Sequence, residues 1–254
     1  MRTVRLVLEY DGTAYAGWQR QSDAPTIQAA LEDAVAQLLQ APHRVVGAGR
    51  TDAGVHALGQ VAHFTTASLL PPQRIRDGLN ALTPPDIVVR DVAEVPAGFD
   101  ARRDARQRVY RYVVLTRALP SALWRHRIHH VAGPLDVDAM RAGAQTLEGR
   151  HDFAAFRVTG TSTASTMCTI TALQVERRGL FLTITIAANR FLRQMVRRIV
   201  GTLLQVGGGA RPVGDVAAIL ESGDNQRAGP AAPACGLYLV RVVYDGEQPP
   251  RRTP

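Results

Sequence analysis

Residues 47–62 read GAGRTDAGVHALGQVA. The preceding RVVGAGR and the following GQVAHFTTA both read as strands, so the stretch is strand, turn, strand, with one small carboxylate, Asp52, at the turn. Two readings of Asp52 stand side by side. A tight turn uses Asp and Gly for their backbone freedom alone. A reactive carboxylate held out by that turn would use Arg50 to favour its ionised form, and Gly49 and Gly54 to let a bulky ligand approach the backbone.

Working outward, Val4, Leu6, Leu8 and Tyr10 alternate with Arg5, Val7 and Glu9, which predicts a strand. A turn-rich loop, DGTAYAGWQRQSDAP, separates it from an amphipathic helix behind Pro25-Thr26, with Ile27, Ala30, Leu31, Ala34, Val35, Leu38 and Leu39 on one face. After the Asp52 turn come a short helix in PPQRIRDGLNAL and a strand in DIVVRDVAEV. RVYRYVVLT predicts another strand, and DVDAMRAGAQTLEG a helix closed by Gly149. TITALQVERRGLFLTITIAAN predicts a hairpin turning near Arg178-Gly179. NRFLRQMVRRIVGTLLQVGGG predicts a long helix stopped by glycines, DVAAILESGD a short helix capped by Asp215, and GLYLVRVVYDG a last strand. Each half thus holds several strands and at least two helices, and the layout predicts two α+β units. FDARRDARQRV is the linker candidate. The expected boundaries are 1–105, 106–246 and a tail over 247–254, where QPPRRTP predicts disorder.

With 254 residues, 46% of them hydrophobic, the chain can bury one large core or two ordinary ones. No apolar run approaches the roughly 18 residues of a membrane span, and the charged N-terminus lacks the apolar core of a signal peptide. Two cysteines, Cys168 and Cys235, predict neither a disulfide framework nor a zinc site, and a reduced cytoplasm is the expected home. Net charge is +8, unevenly spread: residues 1–105 carry 10 arginines against 12 carboxylates, and residues 106–254 carry 20 against 10. That asymmetry suits a polyanionic partner such as nucleic acid, with a solvated basic surface as the plainer reading. Every basic residue of the Lys/Arg class is arginine. The absence of lysine excludes Schiff-base chemistry and the lysine of a phosphate-binding P-loop.

Several familiar sites fail on spacing. Asp52 sits where a dinucleotide fingerprint beginning at Gly47 and Gly49 would need its third glycine. HExxH, CxxC and GxSxG patterns are missing. His126, His129, His130 and the later His151-Asp152 read as a basic patch ahead of a metal site. Tyr110 and Tyr112 share a strand face between Arg108 and Arg111, an arrangement suited either to base stacking beside phosphates or to ordinary core packing. In the predicted long helix a period of 100° per residue puts Phe191, Met195, Ile199 and Leu203 on one face, with Arg190, Arg193 and Arg197 opposite. The bland reading of those arginines is a solvated stripe. The sharper one is a stripe facing RNA phosphates, with one arginine turned toward Asp52.

GRTDAGVHA closely resembles the tRNA pseudouridine synthase A family, and LEYDGTAYAGWQRQ, RVYRYVV, ANRFLRQMVRRIVGTLL and GLYLV follow in that family's order, from about residue 3 to 245. The resemblance implies isomerisation of uridine to pseudouridine in the anticodon stem-loop, at positions 38 to 40, without metal or cofactor. It implies two related α+β domains with antiparallel-dominated sheets flanked by helices, an active-site cleft between them, and a homodimer whose tRNA spans both subunits. Residue by residue it implies that Asp52 is the essential aspartate, nucleophile at C1′ or base at C2′. It makes Arg50 a contact to the flipped nucleotide, Arg197 the partner of Asp52, Tyr110 the ring that stacks on uracil, and Leu237 an apolar wall. FDARRDA departs from the FHARFSA of many relatives, so the resemblance carries no role over to that segment and leaves the chemistry untouched. The alternatives are a synthase of the same fold with another RNA target, and a non-catalytic RNA-binding protein in which Asp52 only makes a turn.

Overall fold

The computed structural model describes residues 1–158 and 165–246; the expected tail over 247–254 lies outside the described residues. The chain divides into two compact units. Met1–Arg108 with the chain from Tyr238 onward forms the first, and Val109–Leu237 the second.

The first unit contains β1 (Arg2–Tyr10), α1 (Ile27–Leu39), β2 (Val46–Gly47), β3 (His56–Thr66), α2 (Pro72–Leu82), β4 (Ile87–Val95) and, from Tyr238, the chain's last strand β10 (Leu237–Val243). Its strands lie in the order β4-β1-β3-β10, and β2 also pairs with β3. β1 runs antiparallel to both β3 and β4, whereas β10 runs parallel to β3 through Tyr238 opposite His56 and Leu239 opposite Ala57. The alternation in β1 buries Val4, Leu6, Leu8 and Tyr10, while β3 is buried at nearly every position. Its buried positions include the polar His56, Gln60, His63 and Thr66, so the strand shows no clean apolar alternation. α1 buries Ile27, Leu31, Ala34 and Val35, and its N-cap Thr26 accepts a hydrogen bond from Ala29 N through its Oγ1 at 3.2 Å. α2 starts at Pro72, where the missing N–H costs nothing, and buries Ile75 and Leu79.

The segment read as a linker is part of this unit. Ala101 is fully buried: its N–H donates to His63 Nδ1 at 3.0 Å, and its carbonyl accepts from Tyr244 Oη at 2.7 Å. Asp100 Oδ1 accepts from the backbone N–H groups of Arg102 and Arg103, both at 2.8 Å, which fixes the turn. Arginine-rich composition masked a segment whose anchors are an alanine backbone and two partners distant in sequence.

The second unit contains most of β5 (Gln107–Thr116), then β6 (His129–Val131), α3 (Val137–Gln145), β7 (Gly149–Asp152), β8 (Met167–Arg178), β9 (Phe181–Ala188), α4 (Met195–Gly207) and α5 (Asp215–Ser222). Its strands lie in the order β5-β9-β8-β7, with β6 parallel to β5. β8 and β9 form the expected hairpin, turning at Gly179. α3 is capped by Asp136, whose Oδ1 accepts from Asp138 N and Ala139 N. Three local expectations differ. α4 starts at Met195, six residues after the predicted start, because Gln194 holds a left-handed conformation at φ 58°. α5 has Gly214 rather than Asp215 at its N-cap, and Asp215 instead pairs with Arg211 at 3.2 Å. Gly149 opens β7 instead of closing α3, which ends at Gln145.

Candidate active site

Asp52 lies half-buried in the turn between β2 and β3, and Arg50, two residues before it, is exposed. The turn itself closes through the Val55 N–H donating to the Asp52 carbonyl at 3.1 Å. The loop after β1 braces it from one side. Trp18 N donates to the Thr51 carbonyl at 3.0 Å, and Gly54 N to the Tyr15 carbonyl at 3.3 Å. Gly17 has φ +104°, and a Cβ there would stand 2.6 Å from the Thr51 oxygen; a Cβ at Gly12 would stand 2.0 Å from the Val55 oxygen. Only glycine lets the two loops approach this closely. The same loop is fastened to α1, since Ile27 N and Gln28 N donate to the carbonyls of Gly17 and Trp18. The buried Gln28 amide accepts from Arg20 N at 2.9 Å and donates to the Val45 carbonyl at 2.9 Å, joining helix, loop and the approach to β2.

From the sheet side, Tyr10 Oη and Thr51 Oγ1 are 2.8 Å apart, and Gln60 Nε2 donates to the Gly49 carbonyl at 2.7 Å. Burial pushes the Tyr10 phenol up to about 12, so it is neutral and able to donate. Arg108 donates through Nη2 to the Ala48 carbonyl at 3.0 Å, and His56 Nδ1 accepts from Gly12 N at 3.1 Å while its ring stacks on Tyr238 at 4.8 Å. The residues 48–55 are therefore held by β1, β3, the loop after β1, and Arg108. A carboxylate on such a frame is presented in one position, which is what a group acting on a single reacting atom requires.

In the second unit Tyr110 lies on β5, is buried, and meets Phe191 edge to face at 5.1 Å. Arg197 lies in the first turn of α4 and is half-buried. Its Nε donates to the Ala232 carbonyl at 2.7 Å, and Ala232 N donates back to the Arg197 carbonyl at 2.9 Å. The bland reading of one solvated helix face does not hold: Arg190 and Arg193 precede the helix, and Arg197 is engaged with the Ala232 carbonyl. Leu237 is buried at the start of β10, just after Gly236, where a Cβ would stand 2.7 Å from the Tyr112 ring. Asp52 and Arg50 thus share the first unit, and Tyr110, Arg197 and Leu237 the second. Among the described residues no group of three or more His, Cys, Asp or Glu is placed to hold a metal ion; His129 packs edge to face on Tyr112, and burial lowers its pKa.

Sequence reading missed Tyr10, Thr51, Gln60 and Gln28 as parts of the site. Tyr10 carried a signal only as the last apolar position of a strand, and a polar Gln60 inside a buried strand was the one sign that something there needed a hydrogen bond.

A family model described as tRNA pseudouridine synthase matches residues 6–103 and 144–245. The tRNA pseudouridine synthase A of Acetivibrio thermocellus is 46% identical over 244 residues, covering 96% of this chain and all of its own length. That of Myxococcus xanthus is 47% identical over 256 residues, covering all of this chain and 96% of its own. Among solved structures, a Cbf5-Nop10-Gar1 complex matches at 12% identity and a TM-score of 0.35, over 79% of this chain and 45% of that chain.

Proposed function

Because this chain belongs to the tRNA pseudouridine synthase A family, we propose that it isomerises uridine to pseudouridine at positions 38, 39 and 40 of the tRNA anticodon stem-loop. The observation that carries the chemical part of this reading is the Asp52 turn, a half-buried carboxylate on a backbone fastened from several sides.

In the reaction the C1′–N1 bond breaks, the uracil turns, and a C1′–C5 bond forms. C5 gives up its proton and N1 gains one, so nothing is oxidised and no group is lost. Ordinary glycoside hydrolysis uses a second carboxyl group to manage leaving group and water. An isomerisation must keep water out, and one carboxylate in a closed pocket fits that need. Asp52 acts as nucleophile at C1′ or as base toward the C2′ proton. Extruding the uridine costs a few kcal/mol, and stacking on an aromatic ring such as Tyr110 returns roughly 1–3 kcal/mol. Arg50 contacts the flipped nucleotide, Arg197 pairs with Asp52, and Leu237 supplies an apolar wall. The finer architecture proposed is that of the family: two related domains, an active-site cleft between them, and a homodimer working in the cytoplasm. Among the described residues no helix is long and apolar enough to cross a membrane.

The test is Asp52→Asn. The variant should bind tRNA with wild-type affinity and form no pseudouridine. Wild-type turnover by that variant would remove Asp52 from the chemistry, and tRNA binding without pseudouridine formation by the wild-type protein would leave the non-catalytic RNA-binding reading. Pseudouridine mapping of RNA from a deletion strain checks the substrate: modification persisting at positions 38 to 40 would point to another RNA target.

A further inference from the structure

Beneath the Asp52 turn lie buried side chains that the reaction itself does not use. Gln60 Nε2 donates to the Gly49 carbonyl at 2.7 Å. Two residues on, Thr51 Oγ1 stands 2.8 Å from Tyr10 Oη. Tyr10 is 3% exposed, Thr51 6% and Gln60 0%, so none of these bonds can be exchanged for bulk water. The Gln60 amide keeps its donating orientation although its Oε1 is buried without a hydrogen-bond partner. A buried acceptor left alone is unfavourable, so the orientation is set by what Nε2 reaches. The two bonds end on Gly49 and Thr51, the residues that flank Arg50 and lead directly into Asp52.

We propose that Tyr10 is a positioning residue for pseudouridine formation: its hydroxyl fixes Thr51 and thereby the place of the Asp52 carboxylate, without touching the nucleotide. The proposal rests on the catalytic reading of Asp52. Tyr10 ends β1 and Gln60 sits within β3, so the reference frame is the sheet of the first unit. The backbone of Thr51 is also held by Trp18 N. Removing the Tyr10 hydroxyl therefore frees the side chain of Thr51 while leaving the turn in place. A displacement well below 1 Å changes little in binding, yet costs rate when one carboxylate must meet one atom.

The experiment measures the single-turnover rate of pseudouridine formation, tRNA Kd and Tm for Tyr10→Phe, Thr51→Val, their double variant, Thr51→Ser and Asp52→Asn. Tyr10→Phe and Thr51→Val should each slow the reaction about tenfold, with Kd within about twofold and Tm within a few degrees of wild type. The double variant should be no slower than either single one, because both remove the same bond. Thr51→Ser, which keeps the hydroxyl, should retain most of the rate. Additive losses, a wild-type rate in Tyr10→Phe, or a rate loss matched by a collapse of Tm would overturn the proposal. If Asp52→Asn stays active, the catalytic reading itself has failed; if it is inactive while Tyr10→Phe is normal, only the positioning role has.

Discussion

His63 shows how much one side chain can carry at the residue scale. It sits in β3 with its ring edge-on to Phe99 at 5.9 Å, and its Nδ1 accepts from Ala101 N. Burial lowers its pKa, outweighing the opposing pull of Asp100 and Asp104. A histidine that protonates more readily unfolded than folded makes stability rise with pH between its folded value and the unfolded value of about 6.5. Stability should therefore be complete at pH 7.5 and fall as the pH drops below about 6.5, where protonation also removes the acceptor for Ala101 N. Denaturant midpoints taken from pH 7.5 to 5 check this. His63→Asn, which keeps an acceptor and does not titrate, should flatten the slope, and His129 supplies the part that remains. Asp52 was legible as a residue because a carboxylate between arginine and glycines is a compact local pattern. Tyr10 and Gln60 were not, because alternation reports burial and says nothing of which polar atom a buried hydroxyl or amide will meet.

At the scale of elements, α4 and the segment that packs along it act together. A Cβ at Gly201 would stand 1.9 Å from the Pro230 carbonyl oxygen, and Gly229 N donates to Thr202 Oγ1 at 2.9 Å. The same segment exchanges hydrogen bonds with Arg197 through Ala232. Gly201→Ala cannot be absorbed by a rotamer change, because the obstacle is backbone. It should lower stability by about 1–3 kcal/mol and slow pseudouridine formation by displacing Arg197. Urea midpoints and single-turnover rates on the same preparations would show both effects, and an unaltered midpoint would contradict the packing. Long amphipathic elements such as α1 and the β8–β9 hairpin were legible from period alone. β6 and β7, of three and four residues, were not, since so short a strand has no measurable period. The start of α4 was also hidden, because a left-handed Gln194 leaves no mark in an apolar pattern.

For the whole molecule, charge sets the expectation. The arginine surplus of residues 106–254 should make tRNA affinity fall at least tenfold between about 50 and 200 mM salt, through release of phosphate counterions. Filter binding across that range measures it, and a flat dependence would remove backbone phosphates from the interface. What the sequence determined by itself was everything decided within a few turns of chain: the α+β alternation, the main helices and strands, the basic second half and the Asp52 motif with its family. The tertiary structure alone decided that the strand from Leu237 returns to pair with β3 in the first unit, that FDARRDA is anchored by His63 and Tyr244, and that Tyr10 and Gln60 bond Thr51 and Gly49. The physical reason is common to all three. Each depends on hydrogen bonds between groups far apart in the chain, and local propensity carries no information about which distant donor meets which acceptor once both are buried.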